Sequence, residues 1–507
     1  MDALTRLISI IAPGWAASRV AGQAKLAAAQ RYYDAVKVTA QRPKRGGPQS
    51  ADSVMDAAKS NMREFARHLD ENHDLAIGVL NDLVTNIVGV GVGIEPMVVR
   101  GPNREPAEEL NRQLDELWAE FWARPEMTGE LSGPDVERLV CRTWLRDGEV
   151  FIQHVTVPRA PYGSRIPYGL ELLESDFLPY DLTRPSDRIT HGVQKDGWGR
   201  PVGYWFTKVH PGAMTFTAQM TEVVWKPAEV ISHLKFVRRL HQTRGVSILH
   251  GVLTRLDDLK DYEESERIAA RVAAALTAFV KRDIGLSADV SVAAEDATTA
   301  RSFSMEPGLI FDGLLPGEDV GTIDSKRPNP NLEAFRNGQL RAIAAGTNTR
   351  FSAVARDFNG TYSAQRQELV EGVAHYRMLF TYLRNRFYLP VWQRFVDTCR
   401  LAGLLRIPAG VDMTSLYRPE IRPPNMPWID PKKEIEAFAM MVENGFRSRH
   451  QIIRDLGSDP ATVEAQLEAD PLDIRPAPKA VEMIGPGPEL PDKSNSDEQD
   501  DDREEAA

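Results

Sequence analysis

The 507-residue sequence predicts an α+β protein with one long helix that carries a compact β insert. Three observations lead there. Between Glu149 and Trp225 the chain is written in short alternating runs cut by Pro and Gly, such as Tyr168–Leu173 and Val202–Phe206, which read as strands. Helical apolar spacing flanks that stretch on both sides without a strand–helix repeat, which argues against a doubly wound nucleotide-binding sheet. From Gly245 to Arg282 the residues Val246, Leu249, Leu253, Leu256 and Leu259 keep a three- or four-residue step and then give way to an Ala-rich run.

The elements follow in order. Residues 1–50 read as a basic arm whose segment 41–53 is rich in Pro, Gly and Ser. Ser50–Val88 has helical spacing at Leu69, Leu75, Leu80, Leu83 and Ile87. The following Gly89, Gly91 and Gly93 alternate with Val and read as a Gly-bulged strand, because Ile94 stands where a dinucleotide loop needs its next glycine. Helices are expected over Glu105–Trp122 and Pro134–Arg146, then a turn at Asp147-Gly148 and a strand to Val155. The long helix over 246–281 would span roughly 55 Å. Its Ala-rich part permits close packing, and Asp257, Asp258, Asp261, Glu263 and Glu264 mark a wet or intersubunit face. Residues 282–329 are β-like. Asn329 or Asn331 can cap the next helix, 330–346, which Gly346 closes. A polar loop over 347–363 precedes a helix from Ala364 to Ala402 that Pro390 should kink or interrupt. Helices near 430–444 and 448–456 stop at Gly445 and Gly457, and residues 471–507 have the composition of a disordered acidic tail.

Composition is ordinary for a globular chain of more than one substructure, with 42% hydrophobic and 26% charged residues. No run of 18 apolar residues exists, so no membrane-spanning helix is expected. The apolar patch Leu7–Ala12 is too short for a signal peptide, and Asp2 spoils its positive flank. Net charge is −11, distributed unevenly. Residues 1–50 hold eight Lys/Arg against Asp2 and Asp34, while the last twenty hold nine acids against Lys493 and Arg503. Tight DNA readers depend on neutralising phosphates, so an acidic chain is a poor candidate for a sequence reader.

No catalytic constellation stands out. There is no phosphate-binding GxxxxGK[ST], no HExxH, no GxSxG and no paired CxxC. Cys141 and Cys399 read as buried thiols, and His233, His241 and His250 lack metal-ligand spacing. No cofactor and no metal are expected, and a structural part is the favoured class.

Several segments, in order along the chain, carry a family resemblance. They are Tyr33-Asp-Ala35, Ser50-Ala-Asp52, Pro227-Ala-Glu-Val-Ile-Ser-His233, Gln242-Thr-Arg-Gly245, Leu315-Pro-Gly-Glu318, Arg327-Pro-Asn329, Leu340–Gly346, Tyr362-Ser363, Pro427-Trp-Ile-Asp-Pro431 and Glu443-Asn-Gly445. With these the chain resembles the lambda-type portal proteins of tailed bacteriophages. That resemblance implies a ring, usually of twelve subunits, at one capsid vertex. It passes double-stranded DNA during packaging and ejection. It docks the terminase large subunit and the head completion and connector proteins, among capsid and scaffold proteins. It implies a wing over 50–245 and 364–425, stem helices over 246–281 and 330–346, a clip over 282–329, a tunnel loop over 347–363 and a crown over 430–470. It places Asn348, Thr349, Arg350, Arg356 and Asn359 toward DNA. Lys281, Arg282, Lys326 and Arg327 fall at the stem–clip joints, where they could steady DNA or the motor, or only cap turns. Two other classes stay open: a different capsid or scaffold component, and a metal-dependent DNA-processing enzyme.

Overall fold

The computed structural model describes residues 49–58, 60–158, 161–213, 222–275, 279–282, 318–321, 331–424, 431–458 and 460–469. It divides into two compact units, one ending at Asp430 and one starting at Pro431.

The described part of the first unit opens with three helices, α1 (Ala51–Ala58), α2 (Asn61–Asn72) and α3 (Asp74–Ile87). The break between α2 and α3 falls at His73, whose extended backbone ends one helix while its Nδ1 accepts the Leu75 amide to start the next. The glycines after Ile87 form a turn and not the expected bulged strand, with positive φ at Gly89 (61°) and Gly91 (136°). Only Gly93–Glu95 is extended (β1), and it pairs with a strand more than 300 residues later, Glu420–Arg422. A short hairpin, β2 (Val99–Arg100) and β3 (Glu105–Pro106), leads to α4 (Glu108–Ala123) and α5 (Gly133–Asp147). Ser132 and Asp135 form a capping box on α5, and Pro134 sits in its first turn.

Two antiparallel sheets follow. β4 (Glu149–Thr156) is central in the first, between β5 (Tyr168–Leu173) and β10 (Ile231–Lys235). The second is a meander of β6 (Ile189–Thr190), β7 (Val193–Lys195), β8 (Pro201–Thr207) and β9 (Val223–Pro227). Phe151 on β4 bridges them by packing edge-on to Tyr204 and Phe206 of β8.

The long helix is shorter than its sequence pattern. A turn at Ile248–Gly251 precedes α6 (Leu253–Ala275), and Phe279–Arg282 is a strand, β11, paired with β12 (Glu318–Gly321). The Phe-Val pair in β11 favours strand where the preceding alanines favour helix. The next helix, α7 (Leu332–Thr347), runs past Gly346 and is closed by Asn348 in the left-handed conformation (φ 54°). Gly346 has a packing reason instead: a Cβ there would lie 2.4 Å from Cγ1 of Val252. Within the expected loop lies α8 (Phe351–Ala355), and the following helix α9 (Tyr362–Leu383) starts two residues early, capped by Thr361.

Between α9 and α10 (Leu389–Leu401) lies one π-helical segment, Arg384–Tyr388. Pro390 stands in the first turn of α10, so the interruption precedes the proline that lacks an amide to donate backward. α11 (Met413–Leu416) and β13 (Glu420–Arg422) complete this unit. Its main core collects α3, α4, α5, α9 and α10 around Trp118, Trp144, Phe387, Trp392 and Phe395. The second unit contains α12 (Pro431–Glu443), α13 (Arg449–Asp455) and α14 (Pro460–Ala469). Ser448 caps α13 through the Gln451 amide, and Gly445 and Gly457 are left-handed. Among the described residues no helix is long and apolar enough to cross a membrane.

Candidate nucleic-acid interface

The polar loop after α7 is built on two left-handed, non-glycine residues. Asn348 (φ 54°) turns the chain out of α7 and Arg356 (φ 53°) turns it out of α8. The amide of Thr349 still reaches back to the Ala344 carbonyl at 2.9 Å, and its hydroxyl meets that of Thr347 at 2.8 Å. α8 is pinned by the Ser352 amide, which donates to Glu368 on α9 (3.0 Å), and by the buried Ala353 and Val354. Beyond α8 the chain is open to solvent at Arg356, Phe358, Asn359 and Gly360, with the Asn359 amide turned back onto Asp357 (3.0 Å).

The five predicted DNA-facing residues therefore fall into two groups. Asn348, Arg356 and Asn359 are exposed. Thr349 and Arg350 are engaged within the chain. Arg350 donates from Nη2 to Asp82 on α3 (2.9 Å) and from Nε to the Tyr376 hydroxyl on α9 (3.2 Å). Burial works against the guanidinium charge, but Tyr376 and Asp82 hold its pKa above the ordinary value. Lys281 and Arg282 lie on β11 in register with Asp319 and Glu318. Lys326 and Arg327 lie outside the described residues, as do most of the clip segment, residues 1–48 and the tail.

A second constellation, not singled out in the sequence as a site, joins three of the segments that carry the resemblance. Arg244 is fully buried. Its Nε and Nη2 meet one oxygen of Glu149 at 2.7 and 2.6 Å, while Nη1 and Nη2 also donate to the carbonyls of Leu178, His191 and Ser175. The Tyr180 ring stacks on the guanidinium at 4.0 Å. The other Glu149 oxygen accepts the Gly245 amide (2.9 Å) and Nε2 of His233 (3.1 Å), which must carry the proton because a carboxylate only accepts. Burial opposes the Glu149 charge, yet Arg244 and His233 hold its pKa far below the usual range. Burial pushes His233 down to about 4. One residue upstream of Arg244, the Thr243 amide and hydroxyl both donate to Asp52 (2.7 and 2.6 Å). Gly245 is required here, since a Cβ would fall 2.0 Å from the Gly148 carbonyl oxygen. His233 and Arg244-Gly245 thus meet at Glu149, and Asp52 adjoins them through Thr243.

One further cluster brings together Glu174, Asp176 and His210, whose ligand-type atoms lie within 4.8 Å of one another. Spacing did not signal it, because His210 joins from the loop after β8. Arg67 already pairs with both carboxylates (3.4 and 2.7 Å) and Arg63 with Asp176 (2.7 Å), so the cluster's charge is answered by cations of the chain itself.

The described residues combine a mixed helix–strand body, a buried ionic junction and an exposed polar loop on a helical corner. Comparison with known proteins gives the family. Residues 39–379 match the family of phage portal proteins of the lambda type, and the chain belongs to that family. It is 26% identical over 473 residues to a probable portal protein of Halomonas phage phiHAP-1, covering 88% of each chain. Solved structures with weaker likeness include the neck of a native gene transfer agent particle computed with C12 symmetry and the neck of an empty one computed with C6 symmetry. Identities are 13% and 15%, both TM-scores are 0.42, and each covers 82% of this chain and 95% of the other.

Proposed function

We propose that this portal protein assembles as a closed homo-oligomeric ring, of about twelve copies by family resemblance, at one capsid vertex of a phage particle. The ring is the channel through which double-stranded DNA enters and leaves. It is also the platform for the terminase large subunit, the head completion or connector protein, and the surrounding capsid and scaffold proteins. In this reading residues 50–245 and 364–425 form the wing, α6 and α7 the stem, 282–329 the clip, 347–363 the tunnel loop and 430–470 the crown. The observation that carries the reading is family membership across residues 39–379.

DNA contact falls to the exposed loop: Arg356 touches phosphate, and Asn348 and Asn359 make weaker, exchangeable contacts. Phosphate contacts give position without reading sequence, as a conduit requires. Lys281, Arg282, Lys326 and Arg327 stand at the stem–clip joints, where they steady DNA or grip the motor. The test is particle imaging with native mass of the purified chain expressed alone. Closed rings with a central channel, at about twelve times the 56.6 kDa of one chain, are the expected result. A monomer or dimer without channels under all assembly conditions overturns it.

A further inference from the structure

Arg350 sits where the loop leaves the body, yet it points inward. Its guanidinium, the Asp82 carboxylate and the Tyr376 hydroxyl close a three-membered ring of hydrogen bonds. Arg350 Nη2 donates to Asp82 Oδ1 (2.9 Å), Arg350 Nε donates to the Tyr376 oxygen (3.2 Å), and Tyr376 donates to Asp82 Oδ2 (2.7 Å). The three residues come from α3, the α7–α8 corner and α9. Asn86, one turn along α3, adds a donor to Asp82 Oδ1 (3.1 Å) and so fixes the carboxylate. Gly372 clears the way: a Cβ there would stand 3.0 Å from Arg350 Cδ, so the arginine stem lies against bare α9 backbone. The contact is therefore built from both sides, by hydrogen bonds at the head and by a missing side chain along the stem.

The corner has its own pivots. Asn348 and Arg356 both hold left-handed backbone without being glycine; asparagine takes that conformation readily after a helix, whereas for an arginine the surroundings must enforce it. Between them lies α8, a five-residue lever with Arg350 at its N-cap position and exposed Arg356 after its C-terminal end.

We propose that Asp82, Tyr376 and Arg350 form a latch that sets the position of the 348–361 loop, with Asp82 and Tyr376 acting as positioning residues for the exposed Arg356. The part given to Arg356 rests on the reading of that loop as the DNA-facing part, whereas the latch itself stands on the Asp82–Arg350–Tyr376 geometry. Opening the latch would free the lever at its base and also release a second cation, Arg350, toward the loop's surroundings.

The experiment compares wild type, Asp82→Asn, Tyr376→Phe and Arg356→Ala as full-length assembled protein, by amide hydrogen exchange and by binding of a random-sequence DNA duplex. Asp82→Asn removes a charged acceptor from the ring and should raise exchange in peptides covering 348–361 about tenfold or more. Strand peptides covering 149–156 and 168–173 should stay at wild-type rates, and assembly size should not change. Tyr376→Phe keeps the ring volume and should shift the same peptides less, which protects the test if Asp82→Asn fails to fold. Unchanged exchange in 348–361 for both variants overturns the latch, as does a rise spread evenly over the whole chain. Arg356→Ala separates the two readings: loss of duplex binding with wild-type exchange supports the DNA-facing loop. Unchanged binding in Arg356→Ala, together with raised loop exchange in Asp82→Asn, overturns the DNA-facing reading and leaves the latch standing.

Discussion

Replacing Glu149 by Gln would leave the fully buried Arg244 charged with no carboxylate to meet it. Removing one partner of such a pair costs about 3–5 kcal/mol, far more than the pair itself contributes. Glu149→Gln should therefore lower the melting temperature sharply in calorimetry, whereas exposed Glu109→Gln, which breaks a surface pair with Arg112, should barely move it. Glu137 offers a different handle. Burial, against donors at Val92 N (2.9 Å) and Trp122 Nε1 (3.2 Å), raises its pKa from 4.5 to about 7. The folded chain then holds a proton that the unfolded chain has released. Stability from this group is complete below about pH 4.5 and is lost as pH rises toward 7, by an amount of order 3 kcal/mol. Wild type should lose stability relative to Glu137→Gln as pH rises from 4.5 to about 7, and the difference between their melting temperatures should stay constant above that window. At this scale the sequence was partly legible. Arg244 stood inside a segment singled out for family resemblance, but nothing in Gln242-Thr-Arg-Gly245 says that its arginine is buried, because its partner Glu149 lies 95 positions earlier. Arg350 looked like a phosphate ligand for the same reason: Asp82, 268 positions away, is invisible from the loop.

Helices and strands with strong local signals could be read closely. Tyr168–Leu173 emerged with its bounds, since alternation and flanking Pro and Gly are local properties. α5, expected over Pro134–Arg146, is found over Gly133–Asp147, where the capping box and first-turn proline are equally local signals. Misreadings came where long-range packing overrode local pattern. Gly346 looked like a stop but is a close-approach glycine beside Val252. The expected long helix is described as helix to Ala275 and has given way to strand at Phe279–Arg282, which has found a partner. Gly346→Val should accordingly loosen the packing of α7 on the Ile248–Val252 turn and cost about 1–3 kcal/mol through overpacking. Denaturant unfolding should detect that loss, and Gly338→Ala on the same helix, where a Cβ meets nothing within 4 Å, should be neutral or slightly stabilising. If Gly346 were only a helix stop, valine would instead unwind the last turn without disturbing Val252.

The whole molecule pairs an acidic net charge of −11 with an exposed arginine on the proposed DNA-facing loop. A conduit of this kind should bind duplex DNA weakly and without sequence preference. Each phosphate contact contributes a slope of about 0.9 in log affinity against log salt, so Arg356→Ala should flatten that slope for all sequences alike. Titrations at several salt concentrations would show it, and sequence-selective loss would contradict it. Fold class was legible at this scale because alternation and helical spacing recur over hundreds of residues. Mutual placement was not, since β1 with β13 and Asp82 with Tyr376 join the two ends of a long unit. That last pairing also dictates a timetable. Tyr376 follows Asp82 by 294 residues, which at about 5–20 residues per second keeps the carboxylate waiting roughly 15–60 s on the ribosome. The lever can lock only after most of the chain has been synthesised. A nascent subunit therefore completes its central junction at Arg244 well before its loop is set, and any chain truncated before residue 376 would present that loop unfastened.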